Sequence, residues 1–404
     1  MRRAADSTVW LICGLLFCAT LLNYMDRQTL AMAAPLIQKE LDLDNSRFGL
    51  LLSAFFYSYG LAQLGVGFLL DRVSVRWGYA LAILWWSAAG AATGVAHTFG
   101  QLFACRMLLG VGEAANWPAA LRVVSRVVPP EKRPLANGIF NSGSSAGAVI
   151  TPSLMIWLST RWNWRIGFVA IGCLALVWVA LWLWASHSLP STQDAPAKAT
   201  ESSSWPEILR APRFWGLMLA SSLANPCYYF YSNWLPTYFV QDKAVVFGSD
   251  LGKLVTIPFL ALGLGSAFGG LPALRLIRAG VAPAKARAIV LGACALCMAS
   301  VFFMNGAKSL YALMSLLFVV AFSMGAWMAN YLSAVQEVSH RNVSAVSGVI
   351  GGVGGFCGAF CIWAVGSVSQ VAHGFQPVFA ALAVLPAFAT LAIVLTSEPA
   401  AEVI

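Results

Sequence analysis

Long apolar runs alternate along this chain with short polar or charged breaks. A helix needs ~20 apolar residues to cross a bilayer, more when tilted. Twelve runs are long enough: 8–36, 47–71, 77–96, 99–127, 134–158, 165–187, 212–240, 252–277, 284–305, 308–337, 343–369 and 374–396. The first follows MRRAADST and continues as a mostly apolar helix, too long for a signal-peptide core and without a small-residue cleavage site. It is read as a span kept in the mature protein. The one long polar stretch, SHSLPSTQDAPAKATESSSWPE (186–207), has the Ser, Pro, Ala and charge content of a flexible linker. The expected fold is an all-α membrane protein with twelve transmembrane helices in two six-helix bundles. The N-terminal bundle covers 1–187, a cytoplasmic linker 188–211, and the C-terminal bundle 212–404.

Composition sharpens this. Of the 404 residues 59% are hydrophobic and only 10% charged, against the ~25% charged of soluble proteins. With both termini inside, sixteen of the 25 Lys and Arg face the cytoplasm and seven the outside, while Arg27 and Arg106 are embedded. The positive-inside rule selects that orientation. The net charge of +9 is thus a topology signal, and nucleic acid is excluded as a partner. The nine cysteines mostly sit in apolar segments, and Cys294 and Cys297 read as small packing residues rather than a redox pair.

The halves resemble each other at an offset of about 200 residues: GVGFLLDRVSVRWG (65–78) with GGLPALRLIRAG (269–280), GIFNSGSSAGAVITP (138–152) with GVIGGVGGFCGAFCI (348–362), and LLNYMDR with LANPCYYFYSN. Three matches in the same order argue for two homologous bundles. Such repeats place a substrate site at their interface near the bilayer midplane.

The loop stretch GFLLDRVSVRWG, with Gly67, Asp71, Arg72, Arg76 and Gly78 at fixed spacing, resembles the major facilitator superfamily. NYMDRQTLAMAAP (23–35), RMLLGVGEAANWPA (106–119) and NWLPTYF (233–239) resemble its anion:cation symporter family of sugar-acid and organic-anion carriers. WMANYLSAVQE (327–337) and the glycine-rich eleventh span look more like hexuronate carriers than galactonate ones. Ser144 and Ser347 stand near where galactonate carriers have a Gln and an Asn. The resemblance implies proton-coupled uptake of an acidic sugar, most simply a hexuronate, by alternating access. It also implies a monomer in a bacterial inner membrane, with no cofactor beyond the coupling proton.

The residues support this reading. An embedded charge is costly and usually functional, and Asp26, Arg27, Arg106, Glu113 and, nearer a span end, Glu337 are all embedded. Asp26 and Arg27 are sequence neighbours, so they point ~100° apart on a helix. Arg27 is the candidate clamp for a substrate carboxylate, and Asp26 a proton site; the plainer alternative for each is an ion pair that orders the bundle. Arg106 and Glu113, seven apart, share one helix face, and Gly110 and Gly112 between them leave room for a neighbouring helix or for water. Glu113 is the second proton candidate, and Arg106 is expected to hold either Glu113 or Asp26 charged. A sugar acid offers hydroxyls and a carboxylate, which suits Tyr24, Tyr59, Trp327, Asn330, Ser144 and Ser347 around an Arg fork. Asp71, Arg72 and Arg76 are expected, by resemblance, to latch the cytoplasmic side. GVIGGVGGFCG (348–358) lacks the Lys-Ser/Thr of a phosphate loop. The chain carries no H-E-x-x-H, so an intramembrane enzyme is disfavoured. Within transport, other anions (an aldonate, aldarate, aromatic acid or amino acid) and anion exchange stay open.

Overall fold

The computed structural model describes residues 6–128, 133–188, 205–336, 338 and 343–396. Each of the twelve runs is a helix, or a helix interrupted once. In order they are α1 (Asp6–Leu41), α2 (Asn45–Arg72), α3 (Val75–Thr93), α4 (Phe99–Glu113) with α5 (Asn116–Val127), α6 (Arg133–Arg161) and α7 (Trp164–Ala185). A short α8 (Trp205–Arg210) precedes α9 (Pro212–Asn233) with α10 (Leu235–Gln241) and α11 (Ser249–Phe268) with α12 (Leu271–Arg278). Then come α13 (Pro283–Ala299), ending in a 3₁₀ turn, α14 (Leu310–Gln336), α15 (Val343–Val371) and α16 (Gln376–Thr396). Seven of the described helices are long and apolar enough to cross a membrane on length and composition alone. Residues 189–204 of the expected linker, and Glu337, lie outside the described residues.

The α4/α5, α9/α10 and α11/α12 breaks each fall just before a proline. Proline lacks the amide hydrogen and its ring strikes the carbonyl four residues back. Pro118, Pro236 and Pro272 place that collision at Ala114, Ser232 and Phe268, where the first helix of each pair is ending. The hydropathy pattern, blind to this, reads each pair as one run.

The chain divides into two compact units, residues 1–197 with 245–256, and residues 198–244 with 257–404. Inside the first, α1 packs on α6, α2 on α4 and α3 on α7; inside the second, α9 packs on α15 and α13 on α16. Gly265, Gly269 and Gly325 bring α11 against α14. Counted in spans, these are pairs 1–5, 2–4 and 3–6 in one unit and 7–11, 9–12 and 8–10 in the other. The internal repeat is therefore a repeat of packing. Its closest contacts are made where a side chain is missing: Gly143 faces the Phe17 backbone of α1, and Gly358 faces the Tyr229 ring of α9. Small residues allow this approach between membrane helices.

Candidate functional site

Four charged residues of the first unit, Asp26, Arg27, Arg106 and Glu113, form one cluster. From α1 come Asn23, Tyr24, Asp26 and Arg27; α2 supplies Phe55 and Tyr59, and α4 supplies Arg106 and Glu113. Arg27 Nε donates to Glu113 Oε2 at 2.7 Å. Its guanidinium carbon lies 4.7 Å from the Tyr59 ring centre, 5.1 Å from Phe55 and 5.2 Å from Tyr24. The Arg106 guanidinium carbon also lies against this aromatic set, 4.8 Å from the Phe55 centre. Ring quadrupoles attract cations at these distances, by up to ~2 kcal/mol when desolvated. Tyr59 stacks on Phe55, and its hydroxyl accepts from Gln63 Nε2 at 2.8 Å.

The 100° separation of Asp26 and Arg27 has its expected consequence. Arg27 turns toward α2 and α4, whereas the Asp26 carboxylate lies against Gly90 of α3, where a Cβ would stand 3.0 Å from Oδ1. Asp26 remains within Coulombic reach of Glu113, Arg106 and Arg27. All but Arg27 are almost wholly shielded: Asp26 is 2% exposed, Arg106 1% and Glu113 0%. Of the two bases, it is Arg27 that makes the direct ion pair with Glu113; Arg106 stays in the cluster without one among the described residues. Gly110 and Gly112 are filled by neighbouring helices, not by space. A Cβ at Gly110 would strike the Phe55 carbonyl of α2, and one at Gly112 the Trp85 and Trp86 residues of α3.

Hydrogen-bonding capacity is left over. Both Asp26 oxygens, Glu113 Oε1, Arg27 Nη2, and Arg106 Nε and Nη1 are buried with no partner among the described residues. A buried unsatisfied polar atom costs ~1–3 kcal/mol. Six in one cluster mark a place kept for something other than stability. The cluster can accept protons at its acids and an anion at its bases.

The other predicted residues make contacts within their own units. In the second unit, Trp327 is buried, stacks on Tyr331 at 5.2 Å and donates to Thr390 Oγ1 at 2.9 Å. Asn330 Nδ2 donates to Gly269 O at 2.8 Å and Ala326 O at 2.9 Å. The Gly269 carbonyl is one that the α11/α12 break releases, so Asn330 secures that break. Ser144 donates to Asn141 O at 2.7 Å on a face of α6 where Asn141, Ser142 and Ser145 are exposed. A polar face on a spanning helix belongs against water or protein rather than lipid. Arg76 Nη2 donates to Leu183 O at 2.9 Å, and Trp182 Nε1 returns a bond to Arg76 O at 2.9 Å, so α3 and α7 are reciprocally tied. The side chains of Asp71, Arg72 and Ser347 lie outside the described residues.

Sequence reasoning missed three contributors. Phe55 supports both guanidiniums, yet it reads as one more apolar residue. Arg122 of α5 donates to the Leu70 and Val73 carbonyls and caps the end of α2. Glu40 accepts from Trp164 Nε1 and pairs with Arg165, each at 2.7 Å, closing the end of α1 onto the start of α7.

Bundled spanning helices in a repeated pairing, with acids and bases buried inside, define a multi-pass membrane transport protein rather than an enzyme. The Major Facilitator Superfamily profile matches residues 16–362, and the chain belongs to that superfamily. It is 29% identical over 417 aligned positions to the hexuronate transporter of Escherichia coli K12, covering 98% of this chain and 95% of that one. It is 31% identical over 279 positions to the galacturonate transporter of Dickeya chrysanthemi, covering 65% and 80%. It is 29% identical to a probable L-galactonate transporter of E. coli K12, covering 90% and 83%. Among solved structures, a bacterial homologue of the human lysosomal transporter Spinster superposes with a TM-score of 0.81 at 17% identity, covering 97% of each chain. That likeness concerns the fold.

Proposed function

We propose that this protein is a proton-coupled symporter of the bacterial inner membrane that imports a sugar-acid anion, of the hexuronate class, by alternating access. The observation that carries the reading is the double engagement of Arg27. One edge of its guanidinium binds the Glu113 carboxylate, and its face is held by Tyr24, Phe55 and Tyr59. A substrate carboxylate binds Arg27 by displacing Glu113, and Glu113 released from Arg27 takes a proton. Proton and anion loading are thereby linked through one side chain. Asp26, against α3, is the second proton site, and Arg106 holds the electrostatic balance of the cluster. The names of the relatives support a sugar acid; the Arg–tyrosine set supports a carboxylate carried by a hydroxylated body. The charge pattern supports cytoplasmic termini. Symport also answers an energetic need, since an anion entering an inside-negative cell is opposed by ~2.3 kcal/mol per 100 mV.

The test is uptake into proteoliposomes, with glucuronate, galacturonate, galactonate, glucarate and benzoate as the panel. Accumulation of a hexuronate driven by an inward proton gradient, and stopped by a protonophore, supports the proposal. Uptake that ignores the gradient but requires internal anion identifies an exchanger. Accumulation of benzoate alone refutes the sugar-acid reading.

A further inference from the structure

We propose that α12 and the turn after it form a binding surface for the headgroups of anionic phospholipids. The two copies of the loop motif differ in a way that matters. Gly67, Asp71, Arg76 and Gly78 recur 202 residues later as Gly269, Ala273, Arg278 and Gly280. The second copy keeps the glycines and the last arginine and replaces the acid with alanine. No Asp or Glu occurs anywhere from 251 to 336. Arg275 and Arg278 on α12 and Lys285 on the first turn of α13, which packs on α12, are nevertheless present there, and all three are exposed. Their side chains make no ion pair or hydrogen bond among the described residues. The surface has cations in excess, and no acid supplied by its own part of the chain.

The apolar residues beside them show which anion fits. Leu271, Leu274 and Ile277 are 44%, 42% and 36% exposed, while Ala273 is buried against the unit. On a helix, Arg275 stands one turn above Leu271, and Arg278 one turn above Leu274. Each cation thus rises from beside an exposed leucine. Arginine stems lie along apolar surface while the charged heads reach the polar layer. A helix of this kind settles at the boundary between acyl chains and headgroups. A soluble phosphate would use the cations and leave the leucines in water; a phospholipid uses both.

The surface is also held in place. Asn330 binds the Gly269 carbonyl at the α11/α12 break, and Gly269 packs against Ala326 of α14. At the other end Gly280, with φ 89°, takes the left-handed conformation that ends the helix. The helix is fixed at both ends, and its outer face is exposed among the described residues.

The test uses detergent-purified full-length protein. Thermal unfolding and native mass spectrometry are run with phosphatidylglycerol, with phosphatidylcholine at the same mole fraction, and with inorganic phosphate. Phosphatidylglycerol should raise the melting temperature of the wild type and of an Arg275→Lys/Arg278→Lys variant, and should persist as a bound adduct. The shift should vanish in Arg275→Gln/Arg278→Gln/Lys285→Gln and survive in Lys308→Gln, which removes a cation elsewhere. Single neutralisations, for use if the triple variant does not fold, should each weaken lipid binding on the order of fivefold. The proposal is overturned if the neutralised variants keep the full shift, or if phosphatidylcholine stabilises equally. Stabilisation by phosphate alone overturns it too, by showing a free-anion site.

Discussion

Glu113→Gln separates the two jobs assigned to the Arg27–Glu113 pair. The amide keeps the shape and an acceptor for Arg27 Nε, so the guanidinium stays between its rings; the negative charge is lost. In the wild type an incoming carboxylate competes with a 2.7 Å charge-assisted bond to a fully buried carboxylate. Hydrogen bonds to charged groups contribute ~1.5–3 kcal/mol. At ~1.4 kcal/mol per decade, removing that competitor should tighten substrate binding about 10- to 100-fold at a pH where Glu113 is ionised. The sign with pH follows from linkage. If substrate binding requires a protonated Glu113, wild-type affinity rises as pH falls, by up to about tenfold per unit for one linked proton. The variant should lose that proton's share of the slope. Titration calorimetry between about pH 5.5 and 8.5 reads both effects. In proteoliposomes the same variant should bind substrate yet fail to accumulate it against a gradient. Weaker binding in a folded variant, or a wild-type pH slope, would show that Glu113 does not compete for Arg27.

Arg27→Lys keeps a charge but loses Nε and the planar fork that the three rings hold. Binding should weaken by about 2–5 kcal/mol in calorimetry, and near-wild-type affinity would move the clamp to Arg106. Asp26→Asn should abolish pH-driven accumulation; substrate counterflow, which needs no net proton movement, should survive in it or in Glu113→Gln. Gly110→Ala forces a Cβ against the Phe55 backbone, so the melting temperature should fall with a destabilisation of about 1–3 kcal/mol. An unchanged melting curve would mean that α2 and α4 are not locked there. A cysteine at Ser203 should resist an impermeant thiol reagent in intact cells, and ready labelling would invert the topology.

Much of the fold was legible because one signal, apolar length, is local and strong in a membrane protein. The helix breaks fall at Pro118, Pro236 and Pro272, but hydropathy averages over them, and Pro35, Pro152, Pro226, Pro258 and Pro386 sit inside continuous helices, so proline alone does not mark a break. Helical geometry correctly separated Asp26 from Arg27 and put Arg106 and Glu113 on one face of α4. It could not say which base reaches Glu113. That depends on how α1 and α4 are placed lengthwise relative to one another, and periodicity along one helix carries no information about it. The same limit explains Phe55, whose role follows from two guanidiniums brought to its ring by two other helices. Trp327 and Asn330 show the converse. Their side-chain types suit a sugar, yet in the second unit their donors are already engaged by Thr390, Gly269 and Ala326.

Under the proposed symport, the composition of the cluster constrains how proton and anion loading are linked. Asp26, Glu113, Arg27 and Arg106 together are neutral when all are ionised. An anion added to that set leaves a net negative charge in a buried site, which is strongly disfavoured. One proton on either acid leaves a single positive charge, and the carboxylate of a sugar acid cancels it. Loading with both, or with neither, is therefore favoured over loading with one. A second proton on the other acid makes the loaded cluster positive, so an inside-negative potential then drives it inward. On this argument the bases do more than hold substrate. With Arg106 neutralised, the empty cluster would already carry a negative charge, and one proton would no longer admit an anion. Under the proposed symport, Arg106, which has no direct ion pair among the described residues, adds its charge to the sum of the cluster rather than to a single partner.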